Sequence, residues 1–155
     1  VRVREQVPPD DPMWEGAAVG LAAPLETDLT ARSVGDGVLV RGRLRTTVRL
    51  ACRRCLAQVE QPVDDTVDLF FDTLGPDEEE AEGEVYPLPA RGDELDLREA
   101  VREQVILRAP EFALCREECR GLCPGCGADR NQGECGCAPE PAASPWAALK
   151  NVTFD

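Results

Sequence analysis

Eight cysteines and no histidine constrain this chain more than any other feature. Cys52 and Cys55 stand as C-x2-C; after a gap of about sixty residues come Cys115, Cys119, Cys123, Cys126, Cys135 and Cys137, in the run C-x3-C-x3-C-x2-C-x8-C-x-C. Eight thiols divide into two sets of four, and four thiolates around one tetrahedral ion is the closed, structural form of zinc coordination. Gaps of two or three residues let one tight turn present two sulfurs to one ion. Two structural zinc ions are therefore the expected cofactors, and they would supply part of the folding free energy. Iron–sulfur clusters use the same thiolates, so the residues alone leave zinc against iron open. Four disulfides are the competing reading. Against them, 155 residues is long for a disulfide-dependent scaffold, and the pairs Cys52/Cys55 and Cys135/Cys137 are poorly placed to bridge internally.

The second half of the pattern is the more specific. In Cys123-Pro124-Gly125-Cys126-Gly127 a glycine follows the second ligand, where positive φ lets the backbone curl and aim N–H groups at the sulfurs. Gly133 and Gly136 stand similarly around Cys135 and Cys137. Cys123, Cys126, Cys135 and Cys137 thus read as one compact C-terminal knuckle. Cys52, Cys55, Cys115 and Cys119 form the other set, a clip across a long loop, where restraint of the unfolded chain gains most in principle. The C-x3-C pair is looser, and the division of Cys115 and Cys119 between the two sites stays open.

The rest of the chain predicts a two-layer α+β domain. Val38, Val40, Leu44, Val48 and Leu50 alternate with Leu39, Arg41, Arg43, Arg45 and Arg49, and Val59, Val63, Val67, Leu69 and Phe71 alternate with Glu60, Asp64 and Asp68. Period two marks half-buried strands, so residues 25 to 71 read as a three-stranded antiparallel meander. An Asp36-Gly37 turn would set Leu29 opposite Leu44. A turn at Arg53-Arg54 would set Val48 opposite Val59 and Arg43 opposite Asp64, with Cys52 and Cys55 side by side at the tip. Asp96 with Glu99 resembles a capping box. The helix that follows ends at Pro110 and packs on the apolar sheet face.

The expected organisation is a sheet-plus-helix domain over 1–110, a cysteine-rich zinc-binding segment over 111–137, and a Pro/Ala linker with a short terminal helix over 138–155. In that last helix Trp146 and Leu149 sit three apart, as docking residues would. No apolar run approaches membrane-spanning length. The first residues carry no charged, then apolar, then small-residue leader pattern. A reducing, cytoplasmic setting and a monomer are expected.

The net charge of −13 is mostly local. Between Asp72 and Asp96 ten acids face one base, so that stretch carries −9. It falls largely within an acidic loop expected over 72–94. A negative field disfavours a nucleic-acid backbone at long range. The outer sheet face nevertheless holds a candidate RNA surface: Arg41, Arg43, Arg45 and Arg49, with Arg53 and Arg54 at the hairpin tip. Cross-strand ion pairs with Glu60, Asp64 and Asp68 are the alternative reading of that stripe.

These stretches together resemble a known family. They are Cys52-Arg53-Arg54-Cys55-Leu56, the helix from Leu95-Asp96-Leu97 to Leu107-Arg108-Ala109-Pro110, and Leu114-Cys115. They continue with Cys119-Arg120-Gly121-Leu122-Cys123-Pro124-Gly125-Cys126-Gly127, Cys135-Gly136-Cys137 and Trp146-Ala147-Ala148-Leu149-Lys150. Over roughly residues 20 to 151 the chain is similar to the YceD family, the large ribosomal RNA subunit accumulation proteins. It departs from them in its acidic insertion, Asp77 to Glu84, and in its few lysines. The resemblance implies an accessory role in accumulating or processing large-subunit ribosomal RNA, with that RNA or a large-subunit ribosomal protein as partner.

Two other classes compete. One is a structural zinc-binding interaction module outside ribosome biogenesis. The other is a thiol redox enzyme, which would want the Cys52/Cys55 pair at a helix start rather than on a hairpin. With no histidine, no nucleophile elbow, no phosphate-cradling glycine loop and no open three-ligand metal motif, no catalytic residues and no small-molecule substrate are expected.

Overall fold

The computed structural model describes residues 1–73, 85–89 and 94–137. Trp146, Leu149, the terminal helix and most of the acidic stretch lie outside the described residues. The strands are β1 (Arg2–Val7), β2 (Gly20–Leu21), β3 (Leu25–Val34), β4 (Gly37–Ala51), β5 (Gln58–Asp72) and β6 (Val85–Pro87), and the helix is α1 (Arg98–Arg108). A short 3-10 turn, Pro12–Trp14, lies between β1 and β2. The strands form one sheet in the order β1-β3-β4-β5-β6, with β2 also pairing on β4. All pairs are antiparallel except β5 with β6. This is the α+β architecture expected, with a cysteine-rich segment following the helix. No helix among the described residues is long and apolar enough to cross a membrane.

Alternation builds the core. Leu25, Leu29, Val40, Leu44, Val48, Val63, Val67, Leu69 and Phe71 face one side of the sheet and are buried. Ala100, Val101 and Val105 of α1, with Trp14, pack against them. Each such Leu or Val contributes roughly 1.5–3 kcal/mol relative to exposure. α1 is also tied at its last turn, where Arg108 donates to the Asp65 carboxylate at 3.1 Å and to the Thr66 carbonyl at 3.1 Å. At its start, Leu97 holds the cap position without a side-chain bond, while Asp96 accepts from the Arg98 N–H at 3.0 Å. The capping-box geometry expected of Asp96 is replaced by a local Asp96–Arg98 pair.

Both hairpins slide by two residues from the expected registers. Val34 pairs with Gly37, Thr27 with Leu44 and Leu29 with Gly42. Gly35, at φ 60°, takes the first corner position, as a type II′ turn requires. Gly37 is needed inside the strand instead, because a Cβ there would stand 2.6 Å from the Phe71 carbonyl oxygen and 2.7 Å from the Phe70 ring. In the second hairpin Val48 pairs with Gln61, Arg45 with Asp64 and Ala51 with Gln58. The tip is therefore the whole span 52–57, closed by Cys52 N–H to the Ala57 carbonyl at 2.8 Å and Leu56 N–H to the Cys52 carbonyl at 2.9 Å. A slip of two keeps every side chain on its expected face, since the pleat repeats every two residues.

Candidate metal centres

The wide tip of β4–β5 exists to present sulfur. Cys52 is fully buried and Cys55 half-buried, and Leu56 takes a positive φ of 62° to turn the chain back toward β5. The segment after α1 then runs alongside. Arg53 N–H donates to the Ala113 carbonyl at 3.0 Å, and Leu122 N–H donates to the Arg54 carbonyl at 2.9 Å. Gly121, at φ 71°, passes so close to Arg54 that a Cβ would meet its carbonyl oxygen at 2.8 Å. These contacts bring Cys115 and Cys119 to the tip. Cys52 and Cys119 sulfurs lie 3.8 Å apart, and those of Cys55 and Cys115 lie 3.6 Å apart.

The second tetrad is local, as its spacing demands. Cys123 N–H donates to the Ala128 carbonyl at 2.8 Å and Gly127 N–H to the Cys123 carbonyl at 2.8 Å, closing the first turn. Cys123 is buried, and Cys126, Cys135 and Cys137 are exposed. Within each tetrad the four sulfurs lie within 4.8 Å of one another. All eight cysteines are free thiols. An ion bound tetrahedrally at about 2.3 Å per sulfur needs sulfurs about 3.8 Å apart, so the donor sets fit one metal ion each. The division of Cys115 and Cys119 is settled by placement: both stand with Cys52 and Cys55.

The sulfurs' surroundings favour negative charge unevenly. Backbone N–H groups, that of Cys115 first, hold the Cys52 thiol at about 6 against its burial. The N–H of Cys126 leads the groups that bring Cys123 to about 6. In contrast, the neighbouring Cys119 sulfur pushes Cys115 up to about 12, and Cys126 and Cys135 push Cys137 up to about 12. Four sulfurs this close cannot all carry charge alone; a dication would offset the repulsion and take all four as thiolates.

Two further residues touch this region that spacing did not reveal. Asn131 donates from Nδ2 to Cys119 Sγ at 3.4 Å. Phe112, exposed beyond α1, lies under the Arg53 guanidinium, 4.2 Å from its ring centroid. A short amide in a cysteine-rich loop was the one available signal for Asn131, and the C-x8-C gap gave it no position. Nothing in the sequence pattern singled out Phe112.

The arginine stripe is paired in place. Arg41 pairs with Asp68, Arg45 with Asp64 at 3.2 Å and Arg49 with Glu60 at 3.8 Å. Arg43 reaches Asp64 diagonally, with Nη2 to Oδ2 at 2.9 Å. On the same face Arg2 and Arg4 pair with Asp28. A shallow groove of about 980 Å³ runs over this face, walled by both signs of charge. Arg53 and Arg54 stand apart at the tip, and Arg54 turns inward to donate to the carbonyls of Glu117 at 3.1 Å and Cys119 at 3.0 Å.

Comparison with known proteins adds the family. The profile described as "Large ribosomal RNA subunit accumulation protein YceD" matches residues 40–153, which contain both tetrads. A protein of Arabidopsis thaliana named "Large ribosomal RNA subunit accumulation protein YCED homolog 1, chloroplastic" is 30% identical over 138 residues, covering 72% of this chain and 43% of its own length. An uncharacterized protein of Mycobacterium tuberculosis is 35% identical over 112 residues, covering 71% of this chain and 53% of its own. The chain thus spans about half the length of the curated relatives it matches. No solved structure matches it significantly. With β5, the helix, both cysteine tetrads and β4 from Val40 onward inside the matched region, the chain belongs to the YceD family.

Proposed function

We propose that this protein is a non-catalytic, zinc-binding accessory factor in the accumulation of large-subunit ribosomal RNA, acting by binding RNA or a ribosomal protein of that subunit. The observation that carries the reading is membership in the YceD family across the residues that hold both tetrads, together with the name borne by the plant relative. Zinc suits the centres because four sulfurs and no open position is its structural form. The same closure, with no histidine in the chain, supports a role without catalysis. Reduced thiols go with a cytoplasmic setting.

Of the two partners, the charge balance favours the ribosomal protein. The outer-face arginines are already neutralised by acids, and the chain carries −13, which attracts a basic protein and repels phosphate. The test is capture of the metal-loaded protein from cell extract, with sequencing of the RNA and identification of the proteins retained. Enrichment of a large-subunit ribosomal protein or of precursor large-subunit RNA is expected, and enrichment of neither overturns the proposal. Affinity for captured RNA that falls steeply with salt would assign the contact to RNA.

A further inference from the structure

We propose that Asn131 couples the two metal centres, so that filling the knuckle site raises the affinity of the hairpin site. This rests on the reading of both tetrads as metal sites. Asn131 belongs to the knuckle by sequence, lying in the span between Cys126 and Cys135. Its side chain nevertheless donates to Cys119, a ligand-type sulfur of the other tetrad that is only 3% exposed.

The amide is aimed, not incidental. Its Oδ1 accepts the Arg120 N–H at 2.8 Å, which fixes Nδ2 as the group facing sulfur. Asp129 holds it from behind, accepting the Asn131 N–H at 2.9 Å and Nδ2 at 2.6 Å. The loop itself is tied to the strip between the tetrads through Arg130 N–H to the Gly121 carbonyl at 2.9 Å and the bridge between Leu122 and Asp129.

Closing the knuckle on an ion fixes Cys126 and Cys135, the two ends of the span that carries Asn131. Opening it frees those ends and withdraws a donor from a buried sulfur. Hydrogen bonds to ligand sulfur stabilise its charge, and losing one such partner costs about 10-fold or more in metal affinity. Linkage makes the effect reciprocal, so an ion in the hairpin site also favours the knuckle.

The experiment titrates the full chain with cobalt(II), whose thiolate charge-transfer absorbance reports each sulfur site. Wild type should take up two ions; uptake of none or one would defeat the underlying metal reading. The double variant C126S/C135S should keep one ion, held about 10-fold more weakly than the hairpin site of wild type. Asn131→Ala should bind two ions, with the hairpin site weakened by about the same factor and its charge-transfer band shifted. Asn131→Asp, which sets a carboxylate against the sulfur, should weaken it further. Adding Asn131→Ala to C126S/C135S should cause no further loss. Two ions bound with hairpin-site affinity unchanged in Asn131→Ala, or with additive losses in the combined variant, would overturn the coupling while leaving the metal reading intact. The Asn131→Ala arm decides the matter if C126S/C135S does not fold.

Discussion

Arg54 donates from Nη1 to the main-chain carbonyl of Cys119 at 3.0 Å, across 65 positions of sequence. The same nitrogen also reaches the Glu117 carbonyl, so one hairpin-tip side chain clasps the turn between Cys115 and Cys119 from outside. Arg54→Ala should cost about 1–3 kcal/mol, the net range for bonds that involve a charged group. Chemical denaturation of the metal-loaded protein measures it. Unchanged stability would show that the clasp is redundant with the Leu122-to-Arg54 main-chain bond.

Metal removal should act regionally. The sheet has its own apolar core in Leu25, Val40, Leu44 and Leu69, whereas residues 111–137 contribute few buried apolar side chains and hold six of the eight tetrad cysteines. Chelation should therefore raise amide hydrogen exchange at Leu122 and Cys123 well before it does so in β3, β4 and β5. Uniform loss of protection would instead make the ions part of the whole fold's stability.

Gly42 should tolerate no side chain. A Cβ there would stand 2.0 Å from the Asp28 carbonyl oxygen and 2.7 Å from Leu29 Cα, both backbone atoms of the adjacent strand. Gly42→Ala should destabilise by about 1–3 kcal/mol or more, as overpacking does. Gly20→Ala, where nothing lies within 4 Å, is the control and should be nearly neutral. Thermal melts of the two variants make the comparison.

Asp28 should titrate low. The Arg2 guanidinium first, with Arg4, holds its carboxyl at about 2, below the ordinary 3.8. A depressed carboxyl stabilises above its unfolded value, so its help in holding β1 on β3 is present above pH 3.8 and is lost as pH falls through about 2. Carboxyl NMR titration should find the low midpoint, and Arg2→Ala should move it upward. A midpoint near 3.8 in the unaltered protein would mean that the pair does not persist in solution.

The sequence carried the sheet's faces but not its registers, for one reason. A two-residue slip leaves Val40, Leu44 and Val48 facing the same way, so alternation cannot choose between such registers. Turn chemistry had to choose, and Asp36-Gly37 misled because Gly37 is a glycine for closeness to Phe70 and Phe71 rather than for the corner. β1 went unread because Arg2, Arg4, Glu5 and Gln6 leave only Val3 and Val7 to signal its inner face. The knuckle tetrad was legible because its spacing is local, whereas the division of Cys115 and Cys119 stayed open because they meet Cys52 and Cys55 across about sixty residues. The inward turn of Arg54 and the reach of Asn131 were not legible, since each depends on where a distant backbone runs.

The length of β4 and β5 has a geometric consequence. Each runs 15 residues, so the cysteine-bearing tip and the Gly35 corner can stand up to about 50 Å apart at ordinary strand rise. The cysteine-bearing tip lies beyond the last β3–β4 pair, Glu26 with Arg45, at the far end from the Gly35 corner. A partner gripping the corner end would leave the sulfur end free, and one body large enough to touch both would have to lie along most of the outer arginine–aspartate ladder.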